Sequence, residues 1–145
     1  MKISKNGIDL IKRYEGCKLT AYQDSVGVWT CGWGTTGKDI QEGVTFTPWQ
    51  AEERLIDHLA GVEDCVNDAV EVDITQNQFD ALCSFTYNLG CKSLRMSTLL
   101  KKLNAGDIKA ASEEFPRWNK AGGKVLRGLT ARRIDEQRLF LQVSA

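Results

Sequence analysis

Residues 15–34 read Glu15-Gly16-Cys17-Lys18-Leu19-Thr20-Ala21-Tyr22-Gln23-Asp24-Ser25-Val26-Gly27-Val28-Trp29-Thr30-Cys31-Gly32-Trp33-Gly34. Tyr22, Val26, Val28, Trp29, Thr30 and Trp33 favour strands, and Gly27, Gly32, Gly34 and Gly37 punctuate them. Such residues between glycines predict a small antiparallel sheet with a turn near residues 24–27. Upstream, residues 4–15 read as a helix, with Ser4 as N-cap and Ile8, Ile11 and Glu15 at i, i+3 and i+7 on one face. Gly16 stops it. A carboxylate therefore ends the apolar face of a helix and leads directly into a hairpin.

Downstream the signals turn helical. Thr47, Pro48 and Gln50 supply an N-cap, a first-turn proline and the far member of a capping box. Leu55, Ile56, Leu59, Val62, Val66 and Val70 then keep helical spacing, so a helix over about 48–70 bridges two lobes. Thr75 with Gln78 is a second capping box, and Phe79, Leu82, Phe85 and Leu89 follow before Gly90. Further helices are predicted over about 97–104, 108–119 and 130–142, with Gly122-Gly123 as a loop between the last two. The fold class is α+β: an N-terminal lobe over about 1–47 with a hairpin, the connecting helix, and a helical C-terminal lobe over about 71–145, all one domain.

The 145 residues are about one domain on a prior of ~150. No apolar run approaches the ~18–20 residues that cross a bilayer. The opening Met1-Lys2-Ile3-Ser4-Lys5-Asn6-Gly7 lacks the apolar stretch of a signal peptide. His58 is the one histidine, which excludes zinc sites built on several. It sits mid-helix beside Arg54 and Asp57 and reads as part of an exposed face. The zero net charge hides a split. Residues 1–91 carry 7 Lys+Arg against 14 Asp+Glu, and residues 92–145 carry 12 against 5. The basic half either docks on a polyanion or is attracted to the acidic half. Cys17, Cys31, Cys65, Cys83 and Cys91 form no Cys-x-x-Cys, and buried free thiols are expected.

Glu15 and Asp24 suit glycoside hydrolysis, which needs one protonated and one ionised carboxyl group in unlike surroundings. Glu15 lies on a buried-looking face beside Tyr14, and Asp24 in a polar turn beside Ser25. Thr30, on the returning strand, would face Asp24 and hold a water. A helix end and a simple turn would give the same residues without chemistry.

The segment resembles the active-site hairpin of phage-type lysozymes, the endolysins of glycoside hydrolase family 24. Their pattern is Glu, eight residues, Asp, five residues, Thr, then Gly-x-Gly, and Glu15, Asp24, Thr30, Gly32 and Gly34 match it. Residues 78–90, Gln78 through Gly90, resemble the family's central helix. Trp118-Asn119-Lys120-Ala121-Gly122-Gly123 through Gly128-Leu129-Thr130-Ala131-Arg132-Arg133 resembles its C-terminal lobe. The resemblance implies a muramidase that hydrolyses the β-1,4 bond between N-acetylmuramic acid and N-acetylglucosamine, with inversion, in bacterial lysis at phage release. Glu15 would be the general acid, and Asp24 and Thr30 would place water on the opposite sugar face. An inverting pair should stand roughly 6.5–9.5 Å apart. A bell-shaped rate profile is expected, its acid limb from Asp24 and its alkaline limb from Glu15.

By the same resemblance Arg133, with Arg132 next, pairs with the acid. Tyr87, Asn88, Gly32 and Gly34 contact substrate, although ordinary helix packing also accounts for Tyr87 and Asn88. Thr35 stands where some members carry His. Cys17 and Cys31 either form a redox-sensitive disulfide beside the site or stay as packed thiols. No cofactor and no metal are implied. The expected partner of the monomer is the peptidoglycan glycan strand. Lys92, Arg95, Lys101, Lys102, Lys124, Arg127 and Arg132 of the basic lobe would steer it to the anionic envelope. The protein would gather in the host cytoplasm until a holin opens the membrane.

A lytic transglycosylase needs the acid but leaves Asp24 idle. A non-catalytic wall-binding phage module leaves the whole Glu15, Asp24 and Thr30 set idle. Nucleic-acid binding would use Arg117, Trp118 and Lys120, but no recognised motif accompanies them. A Cys/His peptidase is disfavoured by the setting of His58.

Overall fold

A computed structural model describes residues 1–143. Helix α1 (Lys5–Glu15) ends as predicted at Gly16, whose φ of 63° lies in the left-handed region. Ser4 stands at the N-cap position as expected. It makes no side-chain cap. Its hydroxyl donates to Asp80, and its backbone N–H donates to the same carboxylate at 2.9 Å. Asp80 is fully buried and needs those donors. The tie fastens the start of α1 to the helix that carries Asp80.

Strands β1 (Lys18–Gln23) and β2 (Trp29–Gly32) pair antiparallel, with Tyr22 opposite Thr30 and Gln23 opposite Trp29. The other edge of β1 is covered by residues 44–46, since Ala21 N–H donates to Val44 and Phe46 N–H to Leu19. Helix α2 (Pro48–Ala69) opens on the predicted capping box, with Thr47 N–H to Gln50 Oε1 at 2.8 Å and Gln50 N–H to Thr47 Oγ1 at 3.1 Å. Its 22 residues span about 33 Å at ~1.5 Å per residue. Leu55, Leu59, Val62 and Val66 form its buried stripe, whereas Ile56 is 59% exposed. One residue is a rotation of about 100° on a helix, which takes Ile56 off the face that Leu55 occupies.

Helix α3 (Gln76–Leu89) also begins at its predicted capping box, Thr75 with Gln78. It is buried on every side from Phe79 to Tyr87, with α1 and α2 packed on it. Helix α4 (Cys91–Met96) was not predicted. Helices α5 (Thr98–Asn104) and α6 (Ile108–Ser112) follow, capped by Ser97 and Asp107. The helix expected over 108–119 breaks into α6 and a 3-10 turn, Phe115–Arg117, because Pro116 has no N–H to continue it. The expected loop at Gly122-Gly123 is a hairpin of β3 (Lys120–Ala121) and β4 (Lys124–Val125). Both glycines have positive φ, 57° and 78°, as a two-residue primed turn requires. Helix α7 (Arg127–Leu141) packs on α3. Trp118 meets Phe85 edge-on, ring centroids 5.4 Å apart. That ring packs against the core.

Cys65 and Cys91 form a disulfide between α2 and α4, with Cα atoms 6.0 Å apart. This corrects the expectation of buried free thiols for these two cysteines. The two helices meet side by side, a tertiary fact that the spacing of the cysteines does not encode. Cys17, Cys31 and Cys83 remain free. Closing a loop of 26 residues corresponds to about 3.5 kcal/mol of chain entropy removed from the unfolded state. Reduction, or replacement of both cysteines by alanine, should therefore lower the urea midpoint without moving the active-site groups. Equal midpoints with and without reductant would show that the bond contributes nothing.

Candidate active site

The cleft lies between the β1–β2 hairpin and the helices that follow it, with a volume of about 390 Å³. Glu15, Asp24 and Thr30 all line it, together with Tyr22, Gly34, Tyr87 and Asn88. Glu15 reaches it from the C-terminal end of α1. Asp24 and Thr30 reach it from the hairpin.

Asp24 holds the hairpin turn and lines the cleft. Its Oδ1 accepts the backbone N–H groups of Val26, at 3.0 Å, and Val28, at 2.8 Å, which fixes the turn. Its Oδ2 takes no protein donor among the described residues. Thr30 is 4% exposed, and its hydroxyl donates to Val28 O at 2.9 Å. With that proton committed, Thr30 Oγ1 offers lone pairs only. A water at this point would donate to Thr30 and to Asp24 and aim its own lone pair into the cleft.

Glu15 is set in an ionic environment rather than a purely apolar one. Arg132 Nη1 lies 2.6 Å from its Oε2, with side-chain exposures of 3% and 16%. This reverses the expected order of the arginines. Residues 132 and 133 point about 100° apart on α7, so Arg132 faces α1. Arg133 instead donates to Asn88 Oδ1 at 2.8 Å and to Trp118 O at 3.3 Å.

The two glycines differ in purpose. Gly34 has φ 78°, and a Cβ there would fall 2.2 Å from Glu15 Oε1. Its missing side chain is the space that the carboxylate occupies. Gly32 does not line the cleft. It lies against Phe46, 3.0 Å from where its Cβ would be, and Ala51 at 3.2 Å. Its place in the substrate-contact set is therefore corrected to a packing role under the hairpin.

Tyr87 belongs to the cleft and also holds it together. Its hydroxyl donates to Trp33 O at 2.5 Å, joining α3 to the segment after β2. Burial, then the charge of Glu15, pushes its phenol up, so the donor stays protonated. Burial first, then Glu15 and Asp24, does the same to Tyr22.

His58 was read as part of an exposed polar face. It is solvent-exposed at its edge, yet its ring lies over Tyr87 with centroids 4.1 Å apart, and it lines the cleft. Loss of water lowers its pKa, which Glu15 partly opposes, and this favours the neutral ring. Only its position one residue before buried Leu59 hinted at this. Leu126, Leu129 and Lys120 also line the cleft. Thr35 is 7% exposed, and its Oγ1 meets no partner among the described residues.

Of the two alternatives for Cys17 and Cys31, the structure has no disulfide between them: both thiols are free. Cys31 is fully buried, its Sγ directed at the carbonyls of Lys18 and Leu19, while Cys17 is exposed. Burial, then Cys31, pushes the Cys17 thiol up, away from the reactive thiolate. A separate, shallower concavity of about 670 Å³ overlies the Cys65–Cys91 bond, and neither Glu15 nor Asp24 lines it. Among the described residues no group of three or more His, Cys, Asp or Glu is placed to hold a metal ion.

Residues 12–136 match the family model described as phage lysozyme. The chain is 49% identical to the endolysin of Bacillus phage PZA, over 97% of this chain and 55% of that protein. It spans about half the length of this endolysin and that of Bacillus phage B103. It is 47% identical to the endolysin of Acyrthosiphon pisum secondary endosymbiont phage 1, over 97% of this chain and 98% of the other. Among solved structures, the muramidase domain of SpmX from Asticaccaulis excentricus superposes with a TM-score of 0.87 at 36% identity, covering 98% of this chain and 99% of that one.

Proposed function

The chain belongs to the phage lysozyme family, and from that premise we propose that it is a peptidoglycan muramidase. It hydrolyses the β-1,4 bond between N-acetylmuramic acid and N-acetylglucosamine. Glu15 gives its proton to the glycosidic oxygen as the bond to the anomeric carbon breaks. Water held by Asp24 Oδ2 and Thr30 Oγ1 adds to that carbon from the other face and leaves its proton on Asp24. The configuration inverts. Arg132 orients the acid, and Tyr87 and Asn88 contact the sugar.

The observation that carries this reading is that Glu15 and the Asp24–Thr30 pair line one cleft from separate elements. A transglycosylase would have no use for a second carboxylate paired with a committed threonine hydroxyl. Product analysis of digested peptidoglycan tests the point. Reducing muramic ends of inverted configuration are expected, and 1,6-anhydro ends would overturn the assignment.

The protein is proposed to act as a monomer, reaching the wall from the host cytoplasm once a holin opens the membrane. Among the described residues no helix is long and apolar enough to cross a membrane itself. Exposed Lys92, Lys101, Lys124 and Arg127 steer it to the anionic envelope. Arg132 takes no part in steering, because it is buried on Glu15. Arg95 and Lys102 are paired with Asp68 and Glu114. Lysis of wall fragments should slow as salt rises toward ~0.15 M and beyond, where the screening length is about 8 Å or less. A rate flat across that range would remove the steering.

A further inference from the structure

Arg132 and Arg133 reach different parts of the cleft and share one buried anion. Glu136 is fully buried. Its Oε2 accepts from Ser84 Oγ at 2.5 Å and from Arg132 Nε and Arg133 Nη2, both at 3.2 Å. Its Oε1 lies 2.7 Å from Arg133 Nε. Spacings of three and four residues put all three on one face of α7. Arg132 continues to Glu15 and Arg133 to Asn88.

We propose that Glu136 is a positioning residue that holds both the acid and Asn88 through these two arginines, and that the charge of this buried set governs the alkaline limb of the reaction. The inference rests on the muramidase reading above. Two guanidinium groups and one carboxylate leave one positive charge over. Ionised Glu15 supplies the fourth charge and brings the set to neutrality. Protonated Glu15 leaves it at +1 in a poorly solvated place, where charge is strongly felt. The other groups facing Glu15 are Asp24 across the cleft, Tyr22 on β1, His58 on α2 and Tyr87 on α3. The tyrosines stay protonated and His58 tends to neutral, so the charges that remain are Asp24, which is the same in every variant below, and the α7 set, which is not. Burial works against the Arg133 charge, and Glu136, then Glu15 more weakly, supports it. Stability alone is a poor reason for such a set, since well-packed apolar residues often stabilise as much.

The test compares wild type, Glu136→Gln, Arg133→Met and the double variant. Two readouts are used: the 13C shift of the Glu15 carboxyl against pH, and kcat/KM against pH on soluble glycan fragments of peptidoglycan. Glu136→Gln removes an anion, so Glu15 loses its proton earlier and the alkaline limb moves down by about one pH unit. Arg133→Met removes a cation and moves it up by a similar amount. It also raises KM several-fold by freeing Asn88. The double variant returns toward wild type, which a merely structural role would not produce. If Glu136→Gln does not fold, the upward shift in Arg133→Met decides. Titration midpoints of Glu15 that do not move in the variants that fold would overturn the proposal. A wild type without turnover would instead remove the muramidase reading, and the titrations would still judge the charge set.

Discussion

Glu15→Gln should stop lysis of outer-membrane-stripped Gram-negative cells while the protein stays folded. The carboxamide keeps the size of the side chain and a polar contact for Arg132, but has no proton to give to the leaving oxygen. General acid catalysis is worth about 10²–10⁴-fold, and an alkoxide leaving without it is the costlier route. Arg132 keeps its bonds to Glu136 and to Ser84, so its charge does not become unpaired in the interior. Turbidity clearing by the native protein and none by the variant, with matching circular dichroism, is the expected result. Clearing by both would take the acid role from Glu15. Clearing by neither, with reductant present or absent, would favour a wall-binding module.

The second large effect comes from a residue with no side chain. Gly34→Ala should reduce turnover by at least about 10²-fold, the scale of a ~1 Å displacement of a reacting group. A methyl group would sit 2.2 Å from Glu15 Oε1, far inside contact distance. The backbone cannot rotate out of the conflict cheaply, because φ is 78° and left-handed geometry costs a non-glycine residue about 1–2 kcal/mol. The neighbouring Thr35 is also bridged to Cys31 by two backbone hydrogen bonds of 2.9 and 2.8 Å. The displaced group is therefore the carboxylate. A fall in kcat with a melting temperature lowered by several degrees is expected. Wild-type kcat would show that the acid tolerates displacement. Gly32→Ala serves as contrast, since its conflict is with Phe46 and Ala51 and should reduce stability more than chemistry.

What was legible in the chain was local. The capping boxes at Thr47 and Thr75, the stop at Gly16 and the hairpin turn at Asp24 depend on neighbours within a few residues, and the structure has each of them. Ser4 looked like the same kind of signal, but a buried carboxylate 76 residues away claimed its hydroxyl. The order of Arg132 and Arg133 depends on the rotation of α7 about its axis, which its packing on α3 decides. The Cys65–Cys91 bond and the stacking of His58 on Tyr87 likewise require knowing which helices meet. Pro116 and the Gly122-Gly123 pair were readable signals for a helix break and a primed turn. The regular helical spacing around them obscured the first, and a loop reading absorbed the second.

The tie between Ser4 and Asp80 has a consequence for how the protein fails. It fastens α1, and so Glu15, to the helical body, whereas Asp24 and Thr30 belong to the hairpin seated on α2. The distance between proton donor and water is thus a property of the posture of two bodies and not of either one. Warming that slackens the hairpin separates the pair while every helix is still intact. Loss of turnover on heating should then come before loss of ellipticity, and the gap between the two temperatures measures how firmly the bodies are held together.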